Sequence, residues 1–267
     1  MAARPTTGEV LTQTVSTASD RPVFRQISDH LREAIHGGRL REGDQLPSEA
    51  QLGEHYGVTR TTARHALDVL KAEGLVVSEH GRGVFVRRRP VVRRLASDRF
   101  ARRHREQGKA AFTVEVEGAG ATPSVDRIVV SEERPPADVA ERLGLTGRAK
   151  VIVRSRRYLI DGHPVELATS YIPADLAKGT PIAETNTGPG GIYARLEDMG
   201  HRLDRYAEET RARMPHPDEV QALALAPGVP VFHLIRTAYD TTGRAVEVCD
   251  TVMSSDVYVL DYELPAR

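Results

Sequence analysis

The sequence predicts an α+β chain of two domains, a small helical domain that ends in a β-hairpin and a larger domain built on an antiparallel sheet. Three observations support this prediction. At 267 residues the chain exceeds the usual size of one compact domain. Apolar residues recur at helical spacing early in the chain, whereas β-branched runs divided by short turns dominate after residue 107. Lys and Arg outnumber Asp and Glu by 18 to 11 over residues 21–106 but number 18 against 24 over residues 107–267.

The composition excludes several classes of protein. Cys249 is the single cysteine, so there is no intramolecular disulfide and no cysteine cluster for a metal, and we expect neither metal nor cofactor. Residues 1–20 are small and polar and lack the apolar core of a signal peptide, so they are expected to form a disordered tail. No apolar run reaches the length of a membrane span, and we expect a soluble cytoplasmic protein.

The first helix is predicted from "VFRQISDHLREAI", where apolar residues recur every three or four positions until Gly37 and Gly38 end the pattern. A second helix begins at "LPSEAQL". Here Ser48 and Gln51 have the spacing of a capping box, and Gly57 closes the helix.

A third helix follows Thr59, a residue type that caps helix N-termini. Its apolar stripe is formed by Ala63, Ala66, Leu67 and Leu70, and Arg60 and Arg64 lie together on the flank of that stripe. Two short helices joined by a tight glycine turn, the second one rich in Arg and Thr at its start, predict a helix-turn-helix that binds the DNA major groove.

The stretch "LVVSEHGRGVFV" predicts a β-hairpin with Arg82 at its tip. A helix-turn-helix followed by a basic hairpin is a winged helix, which we place at residues 21–88. Residues 89–106 are predicted to be an arginine-rich linker, since residues 87–106 hold nine arginines and two acids. Such a linker is either a solvated tether or a source of phosphate contacts that also transmits a signal.

Residues 22–86 resemble the DNA-binding signature of the GntR family of bacterial transcription regulators, through "LPSEAQLGEHYGVTRTTARHALDVLKAEGLV" and "HGRGVFV". The chain has Thr59 where the family usually has serine, and a hydroxyl is kept. The resemblance implies a set of DNA-contacting residues, of which the last two approach the minor groove: Ser48, Glu49, Arg60, Thr61, Thr62, Arg64, Arg82 and Gly83.

Residues 107–267 read as long antiparallel hairpins with short helices packed on one face of the sheet. The order of elements resembles the effector-binding domain of the HutC branch of the GntR family, whose fold is similar to that of chorismate lyase. The matching pattern is Arg156, "DG" at 161–162, Pro164 and then "SYIP" at 170–173. The resemblance implies a domain that binds an effector and forms the dimer.

The pattern departs from that of the sugar-phosphate sensors of this branch. Tyr158 stands in place of a second arginine, Gly191 in place of a serine, and Ser254 and Val257 in place of two arginines near the end. Because arginines usually hold phosphate groups, we expect an organic acid or another small metabolite rather than a sugar phosphate. The candidate pocket residues are Arg156, Tyr158, Glu166, Tyr171, Tyr193, Glu208 and Glu247.

These patterns together predict a ligand-responsive regulator, a repressor that binds a palindromic operator as a homodimer and leaves it when an effector binds. Motifs of common enzymes are absent, with no G-x-S-x-G, H-E-x-x-H or phosphate-binding loop. Two alternatives remain open. One is an enzyme for a small acid that carries a DNA-targeting domain, and the other is a structural DNA-binding protein without a ligand.

Overall fold

A computed structural model, which describes residues 10–16, 18–87, 92–95 and 98–263, divides the chain into two compact units. The division falls between a strand that ends at Val86 and one that begins at Val92. The predicted class of mixed helix and antiparallel sheet is confirmed. Within the described ranges, none of the helices combines the length and the apolarity that a membrane span requires.

The first unit consists of three helices and a hairpin. Its apolar core holds the predicted stripes, with Ile27 and Leu31 of the first helix packed near Leu67 and Leu70 of the third. The hairpin strands are antiparallel, and Gln45 extends them by an isolated bridge to Phe85. The elements are α1 (Val23–His36), α2 (Glu49–Tyr56), α3 (Arg60–Ala72), β1 (Val76–Glu79) and β2 (Gly83–Val86).

The expectation of a disordered tail is wrong for residues 10–13. Val10 and Leu11 are each 5% exposed and belong to the core of the first unit. Arg39 donates to the Thr12 hydroxyl at 2.7 Å, and a ring nitrogen of His55 lies 3.0 Å from the Gln13 carbonyl oxygen. Two apolar residues in a polar stretch give no periodicity, so composition alone did not reveal this packing. Residues 1–9 and 17 lie outside the described residues.

The second unit is built on a six-stranded antiparallel sheet in the order β4-β5-β6-β9-β8-β7. Two hairpins, β5–β6 and β8–β9, meet through the β6–β9 pair, and β4 and β7 are the edges. Counted inward from each edge, three strands follow in chain order, β4-β5-β6 from one edge and β7-β8-β9 from the other. An approximate twofold axis therefore relates the two halves. The strands are β4 (Pro123–Glu133), β5 (Val151–Ile160), β6 (His163–Pro173), β7 (Leu203–Arg213), β8 (Val231–Asp240) and β9 (Ala245–Ser254).

Helices cover both faces of this sheet, so the expectation that they pack on one face is wrong. Alternate residues of β5 separate the two faces. Val151 and Val153 pack with one helix of the first half, whereas Ile152 packs with Leu196 of another. The helices are α4 (Arg102–Glu106), α5 (Ala111–Gly118), α6 (Ala137–Leu143), α7 (Ala174–Ala177), α8 (Gly191–Asp198) and α9 (Pro217–Leu223).

The predicted arginine-rich linker is in large part a piece of the second unit. Residues 92–95 form β3 (Val92–Leu95), which pairs in parallel with β10 (Tyr258–Asp261). Arg94 is 3% exposed, so the expectation that it contacts DNA phosphates is wrong. Arg93 is 64% exposed and pairs with Asp261 at 2.8 Å. Charge counting cannot distinguish a solvated arginine from one that lies against buried glutamates. Residues 88–91 and 96–97 lie outside the described residues.

The turn between β8 and β9 gives a pH-dependent contribution to stability. Burial alone would raise the pKa of Asp240, but hydrogen bonds from Thr242 and His201, with backbone N–H bonds from Thr242 and Arg244, lower it from 3.8 to about 2. Because the folded-state pKa is the lower one, the stabilisation is present above pH ~4 and is lost as the pH falls toward 2.

We therefore expect Asp240→Asn to reduce the free energy of unfolding at pH 7 by about 2 kcal/mol. The loss should shrink between pH ~4 and ~2, as measured by urea unfolding at each pH. Asp204→Asn is the control, since Asp204 is exposed on β7. An Asp240→Asn penalty that stays constant down to pH 2 would contradict the assignment.

Candidate DNA-binding surface and ligand cavity

The start of α2 has the predicted capping box. The Ser48 hydroxyl accepts from the Gln51 backbone N–H at 3.3 Å, and the Gln51 side chain accepts from the Ser48 backbone N–H at 2.9 Å. Gly57 ends the helix with φ 65°, a left-handed conformation that favours glycine. Ser48 is exposed and Glu49 is half-buried beside it. The cap fixes the start of α2, and the glycine sets the turn into α3.

The N-terminal end of α3 carries the exposed cations. Arg60, Thr61 and Arg64 are exposed, while the apolar stripe of the same helix is buried as predicted. Thr62 is half-buried, and its hydroxyl lies 3.0 Å from that of Thr59, which accepts the Thr62 backbone N–H at 3.2 Å. Thr62 is thus part of the helix cap. The fold leaves Arg60 and Arg64 without a role in the core.

The hairpin presents Arg82 at its tip, with its side chain 69% exposed and paired with Glu79. Gly83 has φ 121°, and a Cβ atom there would lie 2.7 Å from the Gln45 amide nitrogen. That amide donates to the Arg82 carbonyl oxygen at 2.7 Å. Glycine at position 83 lets Gln45 fix the tip, and so the direction in which Arg82 points.

A cavity of about 300 Å³ lies within the second unit, on the face of the sheet where α8 packs. Besides the sheet, its walls come from the segment 99–113 and from the loop and helix start at 185–193. Five of the seven predicted effector residues line it: Arg156, Tyr158, Glu166, Tyr193 and Glu247.

Tyr171 and Glu208 are outside the cavity lining formed by the described residues, and their contact with an effector stays a prediction. Tyr171 is an odd number of positions from Glu166 on β6, and it packs on the opposite face with Val139 and Leu143. Glu208 lies on the edge strand β7, where its carboxylate is 4.0 Å from Arg236 and accepts from the Tyr262 hydroxyl at 3.2 Å. Strand parity, readable in the sequence, would have separated Tyr171 from Glu166.

Three arginines on the cavity wall were absent from the predicted set. Arg99 lies 2.8 Å from Glu115, Arg154 donates to the carbonyl oxygens of Ile182 and Thr185 at 2.7 and 3.1 Å, and Arg236 donates to the Tyr193 hydroxyl at 2.9 Å. Arg154 and Arg236 belong to predicted strands, and Arg99 follows β3. The only signal for Arg236 is that it repeats Arg156 in the second half of the sheet.

Both carboxylates of the cavity already have strong partners. Glu166 accepts from Arg94 at 2.5 Å and from the Tyr258 hydroxyl at 3.1 Å. Glu247 accepts from the Tyr193 hydroxyl at 2.5 Å and lies 3.6 Å from Arg236. Burial raises the pKa of Tyr193 well above its ordinary value, so its hydroxyl keeps its proton and remains a donor. These bonds position the carboxylates and leave the neighbouring cations for a ligand.

The charges in and around the cavity do not cancel. The buried or half-buried cluster has five guanidinium groups (Arg94, Arg99, Arg154, Arg156, Arg236) and four carboxylates (Glu115, Glu166, Glu208, Glu247), an excess of one positive charge. At the rim, Lys109 pairs with Glu117, but Arg102 and Arg105 share Glu197, so the rim adds a second positive charge.

Arg99 is a cation of the cavity wall that pairs with a buried carboxylate. It is 6% exposed, and its Nε and Nη1 atoms have no hydrogen bond within the described part of the chain, although Nε lies 2.8 Å from Glu115. Burial lowers the pKa of Arg99, which reflects the cost of holding this charge away from water. The Glu115 carboxylate offsets this charge.

A winged helix-turn-helix with exposed arginines, on the same chain as a sheet domain with a cationic cavity, defines a ligand-responsive DNA-binding protein. Residues 24–86 match the family model of bacterial regulatory proteins of the gntR family, and residues 118–259, more than half the chain, match that of the UTRA domain. The chain belongs to the GntR family of transcription regulators, in its UTRA-containing HutC subfamily.

Relatives and solved structures agree with this assignment. The chain is 32% identical over 252 residues to an uncharacterised HTH-type transcriptional regulator of Streptomyces coelicolor, covering 92% of this chain and 94% of that protein. It is 28% identical to the HTH-type transcriptional repressor NagR of Bacillus subtilis, over 91% and 95% of the two chains. A crystal structure described as a GntR-family regulator superposes with a TM-score of 0.64 at 30% identity, covering 93% of this chain and 99% of the other. PhnF of Mycobacterium smegmatis, at 24% identity and a TM-score of 0.57, shares the fold over 90% of this chain and 100% of its own.

Proposed function

We propose that the chain is a cytoplasmic repressor that binds a roughly palindromic operator as a homodimer and leaves it when a small anion occupies the cavity. One observation carries the proposal. Arg99, which follows the winged helix in the chain, is part of the cavity wall together with Arg154, Arg156 and Arg236. A ligand bound there contacts the segment that comes after β3 in the sequence. That NagR is named a repressor supports the sign of regulation.

On the DNA side, we assign base and phosphate contacts to the start of α3 and to the wing. The exposure of Arg60, Thr61 and Arg64 on one helix end fits a recognition helix that enters the major groove by its N-terminus. A dimer is required by symmetry, because two such helices must reach adjacent turns of one DNA face. The remaining contacts are assigned to Ser48, Glu49, Thr62, Arg82 and Gly83.

On the ligand side, we assign a small anion, such as an organic acid. The cations that line the cavity outnumber its carboxylates, which suits a negatively charged ligand. The sequence has fewer arginines than the sugar-phosphate sensors at the matched positions, but the cavity does not lack arginines, because Arg99, Arg154 and Arg236 also line it.

A thermal-shift screen of the full chain tests the ligand assignment. Monocarboxylates, dicarboxylates, phosphate monoesters and neutral sugars form the panel. A ligand at 100 times its Kd stabilises by about 2.7 kcal/mol, which raises the Tm of a unit of this size by roughly 5–10 °C. We expect this rise with a monocarboxylate and its loss in Arg156→Ala, because Arg156 faces the cavity and has no carboxylate within 4 Å among the described residues.

Arg157→Ala is the matched control for this experiment. Arg157 follows Arg156 on β5 but faces the other way and pairs with Asp126 at 2.6 Å, so the ligand-induced shift should survive its removal. A shift that both variants keep, or a preference for neutral sugars, would exclude the assigned ligand class.

The class of transcription regulators is the basis for proposing that the chain is not an enzyme. Within the cavity, Glu166 and Glu247 are each committed to an arginine and a tyrosine, which suits binding better than proton transfer. Turnover of a bound acid would favour the alternative of an enzyme with a targeting domain. Equal affinity for unrelated DNA sequences would favour a structural DNA-binding protein.

A further inference from the structure

The edge strand β4 carries a bulge that places an additional apolar side chain on the cavity. Its pairing with β5 shifts register between Asp126 and Val129, and Arg127 within this irregularity has φ 51°, a left-handed conformation that non-glycine residues rarely adopt. Residues three positions apart in a regular strand point to opposite faces of the sheet, yet Val125 and Ile128 both line the cavity. The bulge therefore gives the cavity two apolar side chains from one short stretch of β4.

These two side chains leave apolar surface uncovered. Val125 is 40% exposed and Ile128 is 37% exposed. Val125 is in register with Tyr158 on β5, and the Tyr158 ring packs against the Phe112 ring with a distance of 4.5 Å between their centroids. Phe112, Val125, Ile128 and Tyr158 all line the cavity, and we call them the apolar wall. A ligand with an apolar group against this wall would remove hydrocarbon surface from water.

Two arginines of β5 form a cationic end of the same cavity. Arg154 and Arg156 both line the cavity, and neither has a carboxylate within 4 Å among the described residues. Arg154 donates to backbone carbonyl oxygens, and Arg156 donates to the hydroxyls of Tyr158 and Ser170 at 2.7 and 2.9 Å. These partners are uncharged, so both guanidinium groups are available to pair with an anionic ligand.

The spacing of these groups along β5 defines the shape of the ligand. Arg156 and Tyr158 are two residues apart and line the same cavity, so they lie about 7 Å apart along the strand, which a chain of roughly five carbon atoms spans. The cavity of about 300 Å³ has room for such a chain. A carboxylate bound at Arg156 therefore has the apolar wall within reach of its own hydrocarbon part.

We propose that the effector is a hydrophobic monocarboxylic acid, whose carboxylate pairs with Arg154 and Arg156 and whose hydrocarbon part covers the apolar wall. This inference rests on the proposed function, because it takes the cavity as the effector site, and it narrows the ligand from small anions to one class. A polyhydroxylated acid of the same length would place hydroxyl groups against the apolar wall, where they lose their hydrogen bonds to water.

Calorimetric titration of the full chain with acetate, butyrate and hexanoate tests this inference. Each additional methylene group that reaches the apolar wall should lower Kd about three- to fourfold, because its surface is removed from water. Gluconate has the carbon number and charge of hexanoate, whereas hexanamide has the same hydrocarbon chain without the charge. Each of these two should bind about tenfold more weakly than hexanoate.

A pair of matched substitutions on β4 assigns the gain to the apolar wall. Val125→Thr keeps a β-branched residue but replaces a methyl group by a hydroxyl, so it should raise Kd for hexanoate about fivefold and leave that for acetate unchanged. Val129→Thr makes the same change on the same strand. Val129 is 61% exposed and outside the cavity lining formed by the described residues, so this variant should bind both acids as the wild type does.

Equal Kd values for acetate and hexanoate, tighter binding of gluconate than of hexanoate, or equal effects of the two threonine variants would each overturn the inference. If the acids bind without regard to chain length and Arg156→Ala abolishes their binding, the cavity remains an anion site and only the hydrophobic preference fails. If hexanamide binds as tightly as hexanoate, or if none of the acids binds, the proposed ligand assignment fails together with the inference.

Discussion

Replacing Arg94 by alanine is expected to lower the free energy of unfolding of the second unit by about 3–5 kcal/mol. Arg94 donates to Glu166 at 2.5 Å and lies 3.3 Å from Glu115, and all three side chains are buried. The substitution removes the cation that Glu115 and Glu166 share. Among the described residues, Glu166 then keeps only the hydrogen bond from the Tyr258 hydroxyl, so a buried negative charge is left without a positive partner. Arg94 also lies over the Tyr258 ring at 4.8 Å, a contact that is lost too.

Urea unfolding of the full chain, followed by tyrosine fluorescence, measures this effect. The chain has no tryptophan, and of its eight tyrosines all but Tyr56 belong to the second unit. Arg93→Ala provides the control at the adjacent position, because its pair with Asp261 is exposed and should contribute at most about 1 kcal/mol. Similar losses for the two variants would mean that the buried ion pairs do not stabilise the unit.

Removing the Arg64 side chain is expected to weaken operator binding by about 1–3 kcal/mol if it reads a base. Arg64 lies one turn from Arg60 on the exposed flank of α3, and its loss leaves the helix core intact because the buried stripe faces the other way. A shift assay against DNA upstream of the protein's own gene measures the change.

The pattern of the loss identifies the type of contact. A base contact relaxes preference at one position of the operator, whereas a phosphate contact weakens all sequences alike and lowers the salt slope by about one. Lys71→Ala is the control, since Lys71 is in the last turn of the same helix and pairs with Asp68 at 3.0 Å. If Arg64→Ala and Lys71→Ala bind as tightly as the wild type, Arg64 does not touch DNA.

The winged helix could be predicted because its signals are local. The capping box joins Ser48 to Gln51, Gly57 terminates the same helix, and Thr59 begins the next, all within a dozen positions. Each device acts through backbone geometry that depends on its nearest neighbours. The structure confirms these elements within a residue or two, while their contacts with DNA stay predictions.

The cavity could be predicted only in part, because its walls come from segments far apart in the chain. Arg156 and Glu247 were found from a family pattern. Arg99 follows β3, and no periodicity in the sequence predicts that β3 pairs with β10. Arginine-rich composition suggested a linker that is either a solvated tether or a source of phosphate contacts, since a count of charges carries no information on burial. The same limitation hid the packing of Val10 and Leu11.

The approximate twofold axis of the sheet has a consequence for how ligand preference can evolve. The first half supplies Arg154, Arg156 and Glu166 to the cavity and the second half supplies Arg236 and Glu247, from strands fixed by the ladder of backbone hydrogen bonds. The segments 99–113 and 185–193 lie outside this ladder and break the symmetry. Substitutions in them leave the strand pairing untouched, so these segments are where ligand preference can change without a change in the sheet.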